Sequence, residues 1–224
     1  MHVFTDPDNQ RLYLESFLWI LRLTGASAVF ALVWGILLAG MRVSPIPVLR
    51  GFAAGWVNIF RNTPLTLIIF FCYFGLFSNL GVRLSDDLTY NDYWLGVVGL
   101  SAYTAAFVCE TFRSGVNTVP PGQAEAARAI GLTFGQTLRM IILPQAGRAV
   151  IAPLGSILIA LTKNSTIVGT IGIIEASSEM KALINDNGDA VIQIFAVFAG
   201  TFVVLLVPTG YLFGWFAKRL AVKR

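Results

Sequence analysis

The chain has 224 residues, of which 56% are hydrophobic and 12% are charged, and its formal net charge is +4. A soluble domain is about 45–50% apolar and about 25% charged, so most of this chain is predicted to avoid water. Its basic residues are spread over the ends of apolar runs and are not clustered with aromatic residues, which argues against a nucleic-acid partner.

Five apolar runs are long enough to cross a bilayer, since a membrane helix needs about 20 mainly apolar residues. None shows the alternation of a membrane β-strand, so an all-α, polytopic membrane protein with a single domain is predicted. An extracytoplasmic segment, 1–16, would precede the spans, and a basic tail, 218–224, would follow them. The predicted spans are 17–41, 51–80, 93–112, 149–172 and 190–217.

Basic residues indicate how these spans are oriented. Loops on the cytoplasmic side carry an excess of Lys and Arg. With the N-terminus outside and the C-terminus in the cytoplasm, three basic residues lie outside, namely Arg11, Arg83 and Lys181. Ten then lie inside: Arg42, Arg50, Arg113, Arg128, Arg139, Arg148, Lys218, Arg219, Lys223 and Arg224.

Few residues suit chemistry on this chain. His2 is the only histidine, and Cys72 and Cys109 lie in apolar runs without the spacing of metal ligands. No metal site and no enzyme activity are therefore predicted. No G-x-x-x-x-G-K-[ST] phosphate loop occurs, so any ATP and Mg²⁺ are expected on a separate partner chain.

The connection 114–148 is too long for a simple turn and too polar for a span. Proline removes a backbone donor, so Pro120-Pro121-Gly122 is expected to end the preceding helix. A short surface helix is predicted over 123–130, with Glu125 near its positive end and Gly131 as its stop. By composition alone, an amphipathic helix resting on the bilayer is an equal alternative.

The same connection carries the spacing EAA-x3-G-x9-I-x-L-P, from Glu125 to Pro144. This pattern resembles the cytoplasmic coupling loop of ABC importer permeases. That loop transmits the effect of ATP hydrolysis in a partner subunit to the permease. The resemblance implies that the coupling residues are Gly122, Gln123, Glu125, Ala126, Ala127 and Gly131.

Three further elements resemble the polar amino acid branch of that family, closest to the glutamate-type permeases of actinobacteria. They are the F-R-N-T-P-L run at 60–65, Glu110 with Arg113 and Gly115, and the K-N-S-T run at 163–166. Asn62 and Ser114 stand where this branch of the family more commonly has glycine.

The resemblance implies the subunit composition of a type I ABC importer in a bacterial plasma membrane. Such an assembly has two permease subunits, identical or paralogous, two cytoplasmic ATPases and an extracytoplasmic amino-acid-binding protein. The expected cargo is glutamate or a related polar amino acid, moved by alternating access.

Ionisable residues inside a bilayer are costly, so those within the spans are functional candidates. Lys163 lies deep in the fourth span and is flanked by Thr162, Asn164 and Ser165. These residues either line the translocation path, where Lys163 meets a substrate carboxylate, or Lys163 forms a structural ion pair with an acid such as Glu110.

The run Arg61-Asn62-Thr63-Pro64 interrupts the second span and is predicted to kink it, because proline deletes a hydrogen bond to the preceding turn. The kink either lines a cavity or leaves Arg61 reaching to the cytoplasmic headgroups. Glu110 and Arg113 are three residues apart on a helix and are predicted to form a structural pair.

The main alternative function is an ATP-independent secondary transporter or channel for small polar solutes. Such transporters are usually built from internal repeats, and no repeat is visible in this sequence. A membrane-embedded enzyme is a third option, but the sequence contains no nucleophile motif or metal cluster.

Overall fold

The computed structural model describes residues 2–220, and all regular secondary structure in that range is helical, as predicted. Residues 221–224 of the predicted basic tail lie outside this range. The α-helices are α1 (Pro7–Val43), α2 (Pro47–Asn62), α3 (Leu65–Phe70), α4 (Leu88–Asn117), α5 (Pro121–Ala129), α6 (Phe134–Thr137), α7 (Leu143–Ala149), α8 (Ile151–Asn164), α9 (Ala176–Asp186) and α10 (Val191–Leu220). They are supplemented by 3₁₀ turns at His2–Thr5 and Ser165–Ile171 and by π-helical segments at Phe71–Asn79 and Leu138–Ile142.

Four helices are long and apolar enough to cross a membrane: α1, α4, α8 with its 3₁₀ extension, and α10. Helix α1 begins at Pro7, ten residues before the predicted span, so most of the predicted N-terminal segment belongs to it. The reason lies in the sequence, because the Asp6 side chain accepts a hydrogen bond from the Asp8 amide (3.0 Å) and Pro7 occupies the first helical position.

The predicted second span consists of two helices that turn by 107° between Asn62 and Leu65. This change of direction is far larger than a simple proline kink. Thr63 and Pro64 are both extended, with ψ of 131° and 133°. Proline pushes the residue before it out of the helical region, so Pro64 explains why the helix stops at Asn62.

Helix α4 lies at the centre of the molecule and runs parallel to α1. Trp19 in the first half of α1 packs against Tyr90 and Tyr93 at the beginning of α4, and Arg42 at the end of α1 bonds Glu110 in the second half of α4. The chain therefore leaves α1 at one end of the pair and enters α4 at the other, and α2 and α3 connect the two.

Helix α8 runs antiparallel to both α4 and α10. Gly115 of α4 lies against Val150, whereas Gly96 lies against Val168 at the opposite end. Gly155 of α8 lies against Phe213 of α10. Helices α4, α8 and α10 thus alternate in direction along the chain.

Helix α9 is not among the elements predicted from the sequence. It lies between α8 and α10, and its buried residues Ala176 and Leu183 pack with Phe17, Ile194 and Phe198 in one apolar cluster. Apolar residues at 176, 180, 183 and 184 have helical spacing, so the signal was present but short.

The contact between α1 and α4 depends on Gly35, and we predict that Gly35→Leu destabilises the protein. A Cβ atom at Gly35 would lie 2.5 Å from Val108 Cβ and 3.0 Å from the Ala105 carbonyl oxygen. Overpacking of this kind typically costs about 1–3 kcal/mol. Thermal unfolding in detergent should occur at a lower temperature than in Gly40→Leu, a control in the same helix with open space. Equal melting of the two variants would contradict the packing.

Candidate coupling loop and translocation path

Helix α5 carries the EAA residues and begins earlier than predicted. Pro121 is its first residue and Pro120 its N-cap, whereas α4 has already ended at Asn117. The two prolines therefore start α5 and do not end α4. Because the helix begins at Pro121, Glu125 lies beyond its first turn, which reduces the predicted benefit from the helix dipole.

The predicted stop at Gly131 has a clear structural basis. Gly131 has φ of 88°, a left-handed conformation that glycine adopts without steric cost. Its amide donates to the Arg128 carbonyl (3.0 Å), and the Leu132 amide donates to the Ala127 carbonyl (3.1 Å). This pair of bonds is the Schellman motif, which satisfies carbonyls that the helix end leaves free.

The EAA residues divide between two faces of α5. Ala127 is buried, whereas Glu125 and Ala126 are exposed. Gln123 bonds to the Gln145 side chain of α7, so the structure assigns it a contact within the chain. The loop thus holds α5 with Glu125, Ala126 and Arg128 exposed.

Apolar side chains elsewhere in the loop are also exposed. Ile130, Phe134 and Met140 are 80%, 65% and 62% exposed. These three residues were not predicted as part of the site, because isolated apolar residues in a polar loop form no period. Gly115, which follows Glu110 and Arg113 on α4, lies behind the loop, where a Cβ atom would be 2.5 Å from Val150 Cγ1. Close packing of α4 on α7 therefore requires a residue without a side chain at Gly115.

The structure brings Glu110 and Arg113 together and adds a second arginine. Glu110 Oε2 accepts from Arg113 Nη2 (2.7 Å) and Nε (3.0 Å), and Glu110 Oε1 accepts from Arg42 Nη2 (3.0 Å). Arg42 was not predicted, because a contact between residues 68 positions apart leaves no local pattern. The Glu110 carboxylate joins α1 to α4.

The side chains at the break between α2 and α3 mostly donate hydrogen bonds to free carbonyl groups at the end of α2. The Asn62 side-chain amide donates to the Asn58 carbonyl and the Thr63 hydroxyl donates to the Ile59 carbonyl, both at 2.8 Å. The exposed Arg61 guanidinium lies 5.7 Å from the centre of the Phe107 ring, a cation–π distance.

The candidate residues in α8 point in different directions. The Thr162 and Ser165 side chains are buried and donate to the carbonyls of Leu158 (2.9 Å) and Thr162 (2.8 Å). Lys163 is exposed, and none of the ion pairs between residues 2 and 220 includes it. The alternative of a Lys163–Glu110 pair is therefore wrong for this structure, since the Glu110 carboxylate is held by Arg42 and Arg113.

Lys163 opens onto a groove of about 880 Å³ between α8 and α10. The groove is lined mainly by apolar and aromatic side chains, including Phe202, Tyr211 and Trp215, and Lys218 is also part of the lining. Within the described residues no cluster of three or more His, Cys, Asp or Glu side chains could hold a metal ion.

Comparison with known proteins identifies the family. Residues 31–222 match the family described as the binding-protein-dependent transport system inner membrane component. The chain belongs to this family. The resemblance stated from the sequence is thereby confirmed, as are the predictions of a transport subunit in place of an enzyme and of a multi-pass location in the inner membrane.

Relatives in the family share most of their length with this chain. The glutamate transport system permease protein GluC of Corynebacterium glutamicum is 49% identical, with 94% of this chain and 95% of the relative covered. The GluC protein of Corynebacterium efficiens is 48% identical with the same coverage. The probable glutamine ABC transporter permease protein GlnM of Bacillus subtilis is 34% identical and covers 95% of both chains.

Solved structures of the same fold agree with the helical arrangement. An amino acid ABC transporter crystallised with histidines superimposes with a TM-score of 0.86 at 25% identity, covering 97% of this chain and 98% of the other. The MetNI methionine ABC transporter in an inward-facing conformation superimposes with a TM-score of 0.75 at 20% identity, covering 97% and 100%. The prediction of a type I ABC permease fold is confirmed.

Proposed function

We propose that this chain is the membrane-spanning permease subunit of an ATP-driven importer for glutamate or a closely related polar amino acid. The observation that carries the proposal is helix α5, which presents Glu125 and Ala126 outward from a loop braced by Gly131 and Gln123. The family match and the glutamate permeases among the relatives support it. An ATP-independent transporter fits less well, because the family is binding-protein-dependent.

The partners follow from this assignment. Two cytoplasmic ATPase subunits would bind ATP and Mg²⁺, and α5 with Ile130, Phe134 and Met140 would form their contact surface. An extracytoplasmic amino-acid-binding protein would deliver the substrate. A second permease, identical or paralogous, would complete the path. No cofactor is assigned to this chain itself.

The topology is five spans, with the N-terminus outside and the C-terminus in the cytoplasm. Parallel packing of α1 and α4 supports this count, because α2 and α3 must then return the chain across the membrane between them. In this proposal the bent pair of α2 and α3 forms one crossing. The excess of basic residues at the predicted cytoplasmic ends supports the orientation.

Reporter fusions test this topology. A reporter that is active only outside the cytoplasm should be active after Asp87 and after Asp186. It should be silent after Gly122 and after Arg224, a residue outside the described range. Activity after Gly122 would reverse the orientation, and silence after Asp87 would mean that α2 and α3 re-enter the face they came from.

Reversing the charge on α5 tests the coupling role. We predict that Glu125→Lys lowers uptake more than about tenfold while membrane insertion stays normal, because like charges placed across an interface cost several kcal/mol. Uptake of labelled glutamate into vesicles and ATPase co-purification are the measurements. Glu125→Gln is the matched control and should retain more of both. Near-normal uptake in the lysine variant would remove α5 from the ATPase contact.

The path is assigned to the face that contains Lys163, together with the break at Arg61 to Pro64. An unpaired lysine within a span is expected to face protein or water and not lipid. The groove between α8 and α10 would therefore be covered by the second permease or filled with water. Lys163 would offset the substrate carboxylate there, with Thr162, Asn164 and Ser165 shaping the adjacent backbone.

We predict that Lys163→Met lowers maximal uptake by about tenfold or more, since a charge interaction at an effective dielectric constant of 20 is worth a few kcal/mol. The apparent affinity should change little, because the binding protein makes the first capture step. Lys163→Arg keeps the charge and should retain most uptake. Both variants should still assemble with the ATPase, and unchanged transport by Lys163→Met would exclude Lys163 from the path.

A further inference from the structure

Glu175 is a fully buried carboxylate at the beginning of α9. Its Oε2 accepts from the Ser177 amide (2.8 Å), and its Oε1 accepts from the amide and hydroxyl of Ser178 (both 3.0 Å). No ion pair of the described chain includes Glu175, and its exposure is 0%. Burial raises the pKa of this carboxyl, while the bonds from Ser177 and Ser178 oppose the rise. An exposed Ser or Asp would cap a helix without this desolvation, so burial needs another reason.

The buried carboxylate is pressed against the backbone of Gly169. A methyl group at this position would overlap both Glu175 Oε1 and Ser178 Oγ. Gly169 lies in the 3₁₀ turn Ser165–Ile171, so the Glu175 and Ser178 side chains at the beginning of α9 lie directly against the backbone of this turn. Close-packed contacts of this kind transmit strain.

The 3₁₀ turn begins directly after the residues assigned to the path. It spans seven residues, whereas runs of this tighter helix seldom exceed about 3–4 residues and often mark hinges. The Thr166 hydroxyl donates to the Lys163 carbonyl (2.8 Å) across the junction with α8. The turn is therefore hydrogen-bonded directly to the backbone of Lys163.

The face of α9 that points away from the interior is exposed and could contact a partner. Lys181, Asn185 and Asp186 are exposed, while Glu179 and Leu183 face the interior. Charges of both signs on an exposed helix suit a polar protein surface and are poorly suited to lipid. In the proposed topology this face lies on the extracytoplasmic side.

We infer that docking of the extracytoplasmic binding protein on α9 is transmitted to Lys163 through the contact between Glu175 and Gly169. The inference rests on the proposed function, since it needs a binding protein and an ATPase. It assigns the transmission to one contact. Helix α9 would move on docking, the Glu175 carboxylate would displace the 3₁₀ turn, and the position of Lys163 in the path would change.

The test is Gly169→Ala in the full complex of permease, ATPase and binding protein, reconstituted in liposomes. The added methyl group should separate α9 from the turn. ATPase stimulation by substrate-loaded binding protein should fall at least about fivefold, the lower end of typical coupling between sites. The basal ATPase rate should stay within about twofold, as should both rates in the control Gly188→Ala, which has open space around it.

A second variant covers the case in which Gly169→Ala does not assemble. Glu175→Gln keeps the shape of the side chain but replaces one acceptor by a donor that faces the amides of Ser177 and Ser178. Its stimulated rate should fall selectively as well. Full stimulation in either assembled variant, or equal loss of basal and stimulated rates in Glu175→Gln, would overturn the inference. Absence of stimulation in the wild-type complex would instead contradict the proposed function.

Discussion

Close approach to α4 is the constraint on which the rest of the structure depends. At three contacts of this helix one of the two packed segments has a glycine: Gly35 faces Val108, Gly99 faces Ile69, and Gly115 faces Val150. In a membrane the hydrophobic effect does not drive helices together, so dispersion between closely packed backbones must do so. Small residues at these crossings therefore set the positions of α1, α3 and α7, and with them the coupling loop and the helix break.

Most of the fold could be predicted because its strongest signals are local. Length and hydrophobicity located the long apolar helices, and Pro64 located the break between α2 and α3 within a residue. The end of helix α5 was predicted because Gly131 marks it, whereas the prolines that begin this helix were expected to end the preceding one. The 107° turn between α2 and α3 was not predictable, since proline specifies where a helix ends but not where the next one packs.

The candidate site was less predictable because its polar groups satisfy one another in ways the sequence does not encode. Ser165 and Thr162 are chemically suited to bind a substrate, yet both hydroxyls bond their own helix. Arg42 joined the Glu110 pair through a contact across the fold. Few polar groups of the candidate site are left without such an internal bond, and Lys163 is the main one among them.

The parallel arrangement of α1 and α4 has a consequence for biosynthesis. The contacts of α1 with α4 join residues about seventy positions apart, such as Arg42 and Glu110. At a synthesis rate of 5–20 residues per second, α1 waits roughly 4–15 s before α4 is complete. Lipid must solvate the waiting face during this interval. That face combines the small residues Ser27, Ala31 and Gly35 with Leu23 and Leu38, so it exposes little polar surface to lipid. The same small side chains that allow tight packing thus make α1 a tolerable solitary helix while the ribosome works.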